Sequence, residues 1–192
     1  MLGDSKGESL GEALFDQLSG SLEGNRRERA LAFFIALEQM ARFHPEAFEL
    51  VEMLAFEWMR EATSEDAQWR WAAVITGAFR SLETSFNEAA NQGELKFRSE
   101  LNAADVAFHS ITMAFAAYAS ILRNGVCYQL AETDDRWKSV RLSLHTYWDG
   151  LDWQPLSSEF DYEVSYTRIL KEVFPEYWVR VQTELLEKEV DL

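Results

Sequence analysis

The sequence predicts an all-α protein, and three observations carry that prediction. Apolar residues between breaks recur at helical steps of 3 and 4, where a strand would show steps of 2. Only three prolines, Pro45, Pro155 and Pro175, interrupt the 192 residues. From Val106 to Leu122 the chain reads VAFHSITMAFAAYASIL without one charged residue. That stretch spans about 25 Å of helix and is expected to be buried nearly all round. With 47% hydrophobic and 14% aromatic residues, the chain can also fill a sizeable core.

The elements follow in order. Residues 8 to 22 carry a weak first helix ending around Gly20 to Gly24. A second, at 26 to 43, sets Phe33, Phe34, Leu37, Met40 and Ala41 on one side. His44-Pro45 stops it, because the residue before a proline is pushed out of the α region, and Pro45 then opens the next helix at its first position. That helix, 45 to 62, is expected to bury Phe48, Val51, Leu54, Ala55 and Trp58, with Glu46 and Glu49 near its positive end.

Thr63 and Ser64 are N-cap candidates for a long helix whose stripe Ala72, Ile75, Phe79, Leu82, Phe86 and Ala89 runs to Gly93. Gly77 within it costs about 1 kcal/mol against alanine, which points to close packing or a pocket there. Asn102 with Asp105 forms a capping arrangement for the uncharged helix, and Asn124-Gly125 ends it. The next helix follows Thr133 to Asp135, with Trp137, Val140, Leu144, Tyr147 and Leu151 in a narrow seam closed by Asp149-Gly150. Two more are expected at 158 to 173 and 175 to 189. With no linker or internal repeat, residues 8 to 152 read as one helical domain, and 153 to 192 as an extension packed on it.

The uncharged helix sorts into three lines. Ala104, Phe108, Ile111, Phe115, Tyr118 and Leu122 are bulky and suit a core. Ala107, Ser110, Ala114, Ala117 and Ile121 are small and let a second backbone approach, as at an interface. His109, Thr112 and Ala116 make a third line, where two hydrogen-bonding side chains among hydrocarbon need partners.

Composition narrows the function. A net charge of -15 and a pI near 4.6 oppose direct DNA binding, which relies on cations neutralising phosphates. The one compact basic cluster, Arg26, Arg27 and Arg29, is expected to be solvated at a helix start. Cys127 is the only cysteine, so no internal disulfide forms. His44, His109 and His145 fall on separate elements with no metal-ligand spacing, and no metal or cofactor is expected. Glu46, Glu49 and Glu52 lie off their helix's apolar stripe, and Asp134-Asp135 reads as a helix start. No nucleophile elbow, phosphate loop or dinucleotide fingerprint occurs, so catalysis is not expected. The start MLGDSKGESLGEAL lacks a signal-peptide pattern, and the uncharged run between Asp105 and Arg123 falls short of the roughly 20 residues of a membrane span. A cytoplasmic protein is expected.

What remains is an aromatic interior. Two accounts stay open: a solid core in an acidic protein that binds a basic partner, and a mostly apolar ligand cavity. The cavity would lie among Phe34, Leu37, Trp58, Trp71, Ile75 and Phe79, closed by Phe108 and Phe115. His109 or Thr112 would orient a small hydrophobic or aromatic ligand.

The stretch NEAANQGELKFRSELNAADVAFHSITMAFAAY resembles the ligand-binding and dimerisation domain of the TetR family of transcriptional regulators. There a long helix ends in a Gly-Glu-Leu-like turn, and a short linker leads through an acidic residue into an alanine-rich helix; here these are Gly93, Glu94, Leu95 and Asp105. HTYWDGL, His145 to Leu151, is similar to the family's next helix with its closing Gly-Leu pair. The resemblance implies a TetR-like C-terminal-domain bundle, here with two extra helices, acting as a sensory domain. It implies a homodimer in which two helices per chain, about 103 to 123 and 133 to 150, form a four-helix bundle above a small-molecule cavity. Ala107, Ser110, Ala114, Ala117 and Ile121, with Val140, Leu144, Tyr147 and Leu151, would then pack against the same residues of a second chain across a two-fold axis. The family's DNA-reading helix-turn-helix would precede residue 8, so DNA binding is not expected of this chain alone.

Overall fold

The computed structural model describes residues 23–54, 64–123 and 135–190. Among the described residues there are seven helices and no strand: α1 (Arg26–Phe43), α2 (Pro45–Leu54), α3 (Glu65–Asn91), α4 (Ala103–Leu122), α5 (Arg136–Asp149), α6 (Tyr162–Val173) and α7 (Pro175–Val190). The fold is all-α, and the expected helix at 8 to 22 lies outside the described residues, as does the second half of the one at 45 to 62.

Local chemistry sets most of the boundaries. Asn25 and Glu28 make a reciprocal capping box, with Glu28 N donating to Asn25 Oδ1 at 2.9 Å and Asn25 N to Glu28 Oε2 at 2.8 Å. Asn102 and Asp105 do the same for α4. Asp135 and Asp161 cap α5 and α6, so the sixth described helix starts at Tyr162, four residues later than the spacing predicts. Gly93, at φ +76°, closes α3: its N–H donates to Ala90 O and that of Glu94 to Ala89 O, a pair of hydrogen bonds that satisfies two of the helix's last carbonyls.

The turn after Gly93 then pairs with the turn after α5. Lys96 N donates to Leu151 O at 3.0 Å, and Gln154 N to Glu94 O at 2.7 Å. The Gly-Glu-Leu and Gly-Leu motifs, more than 50 residues apart in sequence, are therefore neighbours in space, with Leu95 and Leu151 both buried between them.

Among the described helices the most buried is α1, not the uncharged α4. Phe34 of α1 meets Trp148 at 5.5 Å between ring centroids, Trp148 meets Trp153 at 5.1 Å, and Trp153 meets Phe86 of α3 at 5.0 Å. All four rings are inaccessible or nearly so, and Trp148 Nε1 donates to Ser110 Oγ of α4 at 3.0 Å. Arg27, expected in solvent, is fully buried: Nη1 donates to Asp149 at 2.7 Å and to Trp153 O and Pro155 O, while Nη2 donates to His145 O. At the other end Glu38 is buried against Arg141 at 2.8 and 2.9 Å and accepts from Tyr166 OH at 2.9 Å. Arg141 also bonds Glu163 through two nitrogens at 3.0 Å and lies 3.8 Å over the Tyr166 ring. Burial and the Glu38 carboxylate both push the Tyr166 hydroxyl far above its usual pKa, so it stays a donor.

Through these contacts α6 packs on α1, and α7 is tied back by Arg42 to Glu184 at 2.8 Å and by the stacked pair Phe43 and Tyr177.

Candidate functional site: an open uncharged face on two helices

α4 and α5 lie antiparallel. Near one end Ser110 meets Trp148 and His109 Nδ1 lies 3.1 Å from Tyr147 OH; near the other the Tyr118 and Trp137 rings are 5.8 Å apart. α4 turns its small line inward, where Ala103, Ala107, Ser110 and Ala114 are buried within the chain's own fold. The opposite ridge, Phe108, His109, Thr112 and Ala116, is exposed, and Phe108 is 56% accessible. By length and composition α4 is the one described helix able to cross a membrane, and 33% of its apolar window is buried. Ile111, Met113, Phe115, Ala117 and Leu122 are partly buried against the core, and the ridge itself is open.

α5 extends the face with Ser139, Ser143 and Thr146. The hydroxyls here are already spent inside their own helices: Ser139 donates to Asp135 O, Ser143 to Ser139 O at 3.0 Å, Thr146 to Leu142 O at 2.8 Å and Thr112 to Phe108 O. Methyl and methylene groups are therefore left outermost, and covering them strands none of these hydroxyls. Tyr147, whose pKa is raised by partial burial and by Asp105, shares a hydrogen bond with His109 Nδ1 across the seam. Charge returns only at the ends of the α4 ridge, as Asp105 and as Arg123, whose Nη2 is 2.6 Å from Glu52.

This arrangement corrects two expectations. The residues expected to orient an enclosed ligand, His109 and Thr112, point to the outside with Phe108. Phe34 and Leu37 are buried, Ile75 and Phe79 are partly buried on α3, and Phe115 stacks on Phe48 at 5.2 Å. Trp58 and the Trp71 side chain lie outside the described residues. The polar pair is thus not brought to the aromatic set. Likewise Ala107, Ser110, Ala114, Ile121, Val140, Leu144 and Leu151, expected to touch a second chain, are buried inside one chain, while Ala117 and Tyr147 are partly open. The reason is steric: Phe34, Phe86 and Trp148 bring bulk to this part of the core, so the small side of α4 faces inward and Phe108 is turned out. The third line of α4 held the signal for the open ridge, since it carries both His109 and Thr112.

Comparison with known proteins finds no matching family model, no matching curated protein and no matching solved structure. Among the described residues no group of three or more His, Cys, Asp or Glu is placed to hold a metal ion.

Proposed function

We propose that this chain is a homodimerising regulatory module of the TetR ligand-binding type, and that the open ridge of α4 with the outer side of α5 is its two-fold contact. The carrying observation is an uncharged, partly apolar exposed ridge on a protein of net charge -15. Such a face is where a second surface can meet the chain without charge desolvation.

Self-complementarity favours a second copy as the occupant. Asp105 and Arg123 stand nine residues either side of Ala114, about 13.5 Å in each direction. Two α4 helices packed antiparallel about a two-fold axis at that level bring Asp105 of each beside Arg123 of the other. Thr112 then meets Ala116 at the centre, where small side chains permit close approach. Phe108 falls at the level of partly buried Ser120 of the second copy, large against small. In this reading the effector is a small hydrophobic molecule that completes the burial of Ile75 and Phe79, and the acidic chain leaves DNA contact to another domain or protein.

Sedimentation velocity tests the contact. The wild-type chain is expected at twice its 22.2 kDa mass, and Ala116→Glu is expected to sediment as a folded monomer with unchanged helical circular dichroism. A dimer indifferent to Ala116→Glu, or a wild-type monomer at micromolar concentration, overturns the proposal.

A further inference from the structure

His109 brings to the open ridge of α4 the one side-chain type whose ordinary titration falls between pH 5 and 8. Its neighbours there, Phe108, Thr112 and Ala116, do not titrate, and the hydroxyls of α5 beside them stay neutral. The ring is exposed and lies against Phe108, with centroids 5.9 Å apart, and against Tyr147, whose phenol oxygen is 3.1 Å from Nδ1. Partial burial and Asp105 raise the Tyr147 pKa, so the phenol keeps its proton through this range. With the ring neutral and its proton on Nε2, Nδ1 accepts from that phenol and Nε2–H is left to donate outward. With the ring protonated, both nitrogens donate and a positive charge stands on the ridge.

Helical spacing says what meets the ring when two ridges close. At about 100° per residue, Asp105, Thr112, Ala116 and Arg123 fall within about 20° of one line along α4. His109 stands about 40° to one side of that line, the side of Tyr147, and Ser120 stands about 60° to the same side. A two-fold axis at the level of Ala114 reverses the helix and keeps its sides, so His109 of one chain faces partly buried Ser120 of the other. The hydroxyl oxygen of Ser120 can accept from Nε2–H.

We propose that association through the α4 ridge is switched by pH at His109: the neutral ring is held between Tyr147 of its own chain and Ser120 of the second copy, and protonation opens the contact. The switch rests on the two-fold reading above. In a separate chain the ring has solvent, Tyr147 and the Asp105 carboxylate one turn away, all able to accommodate a proton. Arg98 lines the same small cleft as Tyr147 and donates to Gly150 O in either state. In the dimer, Arg123 of the second copy takes up Asp105. The Tyr118 and Trp137 ring contact places the first turn of α5 beside the Ser120 end of α4, so the second copy also brings Arg136 and Lys138, while its Asp135 accepts from Lys138 N. A second proton would therefore enter a site that has lost water and gained cations.

Imidazole spectra of the full chain, recorded across pH 5.5 to 8.5, test this. His109 should titrate at least one pH unit lower in the wild-type dimer than in monomeric Ala116→Glu. By linkage, sedimentation should find the wild-type dimer roughly ten-fold weaker at pH 6.0 than at pH 8.0. His109→Gln should show a much smaller change over the same interval, in which few carboxylates titrate. Ser120→Ala should weaken the dimer several-fold at pH 8.0. His145 stays out of this range, because burial first, and then the positive charge of Arg27, lower its pKa to about 3. A wild-type chain that is monomeric at pH 8.0 overturns the two-fold contact and the switch with it. A dimer that Ala116→Glu dissociates, but in which His109 titrates as it does in the monomer, overturns the switch and leaves the contact standing. Equal weakening of wild type and His109→Gln, or indifference to Ser120→Ala, also overturns the switch.

Discussion

α1 and α4 invert the simplest rule about which helix goes inside. α1 carries Arg26, Arg27, Glu28, Arg29, Glu38 and Arg42, yet eleven of its 18 residues are buried. α4 carries one charge, Asp105 in its first turn, yet eight of its 20 are buried and its outer ridge is open. The difference lies in what the other helices offer. Every charge buried in α1 meets a counter-group from far along the chain: Arg27 has Asp149 and three carbonyls, Glu28 has Arg168 and Ser165, and Glu38 has Arg141 and Tyr166. A charge so surrounded can be buried, while a hydrocarbon ridge is buried only if some other surface reaches it. Among the described residues nothing covers Phe108, Thr112 and Ala116.

One test of this contrast removes a partner inside α1. Glu38→Ala leaves the Arg141 guanidinium buried beside Tyr166 with Glu163 as its remaining anion. We expect a loss of about 3–5 kcal/mol, seen as a fall in melting temperature of roughly 10 °C or more. Replacing both partners, Glu38→Met with Arg141→Leu, should recover most of that loss, because no unpaired charge is left. A melting temperature unmoved by Glu38→Ala would mean the buried network contributes nothing.

A second test compares two alanines on α4 that are two residues apart in sequence and on opposite sides of the helix. Ala114→Glu puts a carboxylate into the chain's own core and is expected to abolish cooperative unfolding. Ala116→Glu is expected to leave the melt intact and only dissociate the dimer. If calorimetry and sedimentation find the two variants equivalent, the inward and outward faces of α4 have been assigned wrongly.

The buried histidine gives a pH signature to the α1 side. The folded pKa of His145 is lowered to about 3 from the ordinary 6.5, so between these values the unfolded chain binds the extra proton. Stability from this group is therefore fully present above about pH 6.5 and is lost as pH falls toward 3. Between pH 6.5 and 4.5, before most carboxylates titrate, the wild-type melting temperature should fall more steeply than that of His145→Phe. Parallel slopes would remove His145 from the pH dependence.

The smallest expected effect is at the ends of the ridge. Arg123→Glu sets two like-charge contacts against Asp105 across the proposed two-fold, each exposed contact amounting to about 0.2–1 kcal/mol. Dimer dissociation measured by dilution should strengthen several-fold at low salt, with the difference shrinking as salt screens it. A salt-independent effect would mean Arg123 acts through Glu52 of its own chain instead.

How much of this was legible beforehand follows from the range of each signal. The helix bounds at Arg26–Phe43, the Asn102 and Asp105 cap, the break at His44-Pro45 and the end of α5 at Asp149-Gly150 are all read from the residues themselves, because capping, proline geometry and helical spacing act within one turn of the chain. The all-α class follows from the same short-range pattern. The facing of the helices does not. The sequence alone separates α4 into bulky, small and polar lines without showing which line is inside, and it shows Arg27 as one more charged residue at a helix start. Those choices were decided by Asp149, 122 residues from Arg27, and by Arg141, 103 residues from Glu38, together with the aromatic bulk that Phe34, Phe86 and Trp148 bring against the small side of α4. Burial of a charge depends on a partner the local pattern does not contain, and exposure of an apolar ridge depends on the absence of one. Both are properties of the packed chain.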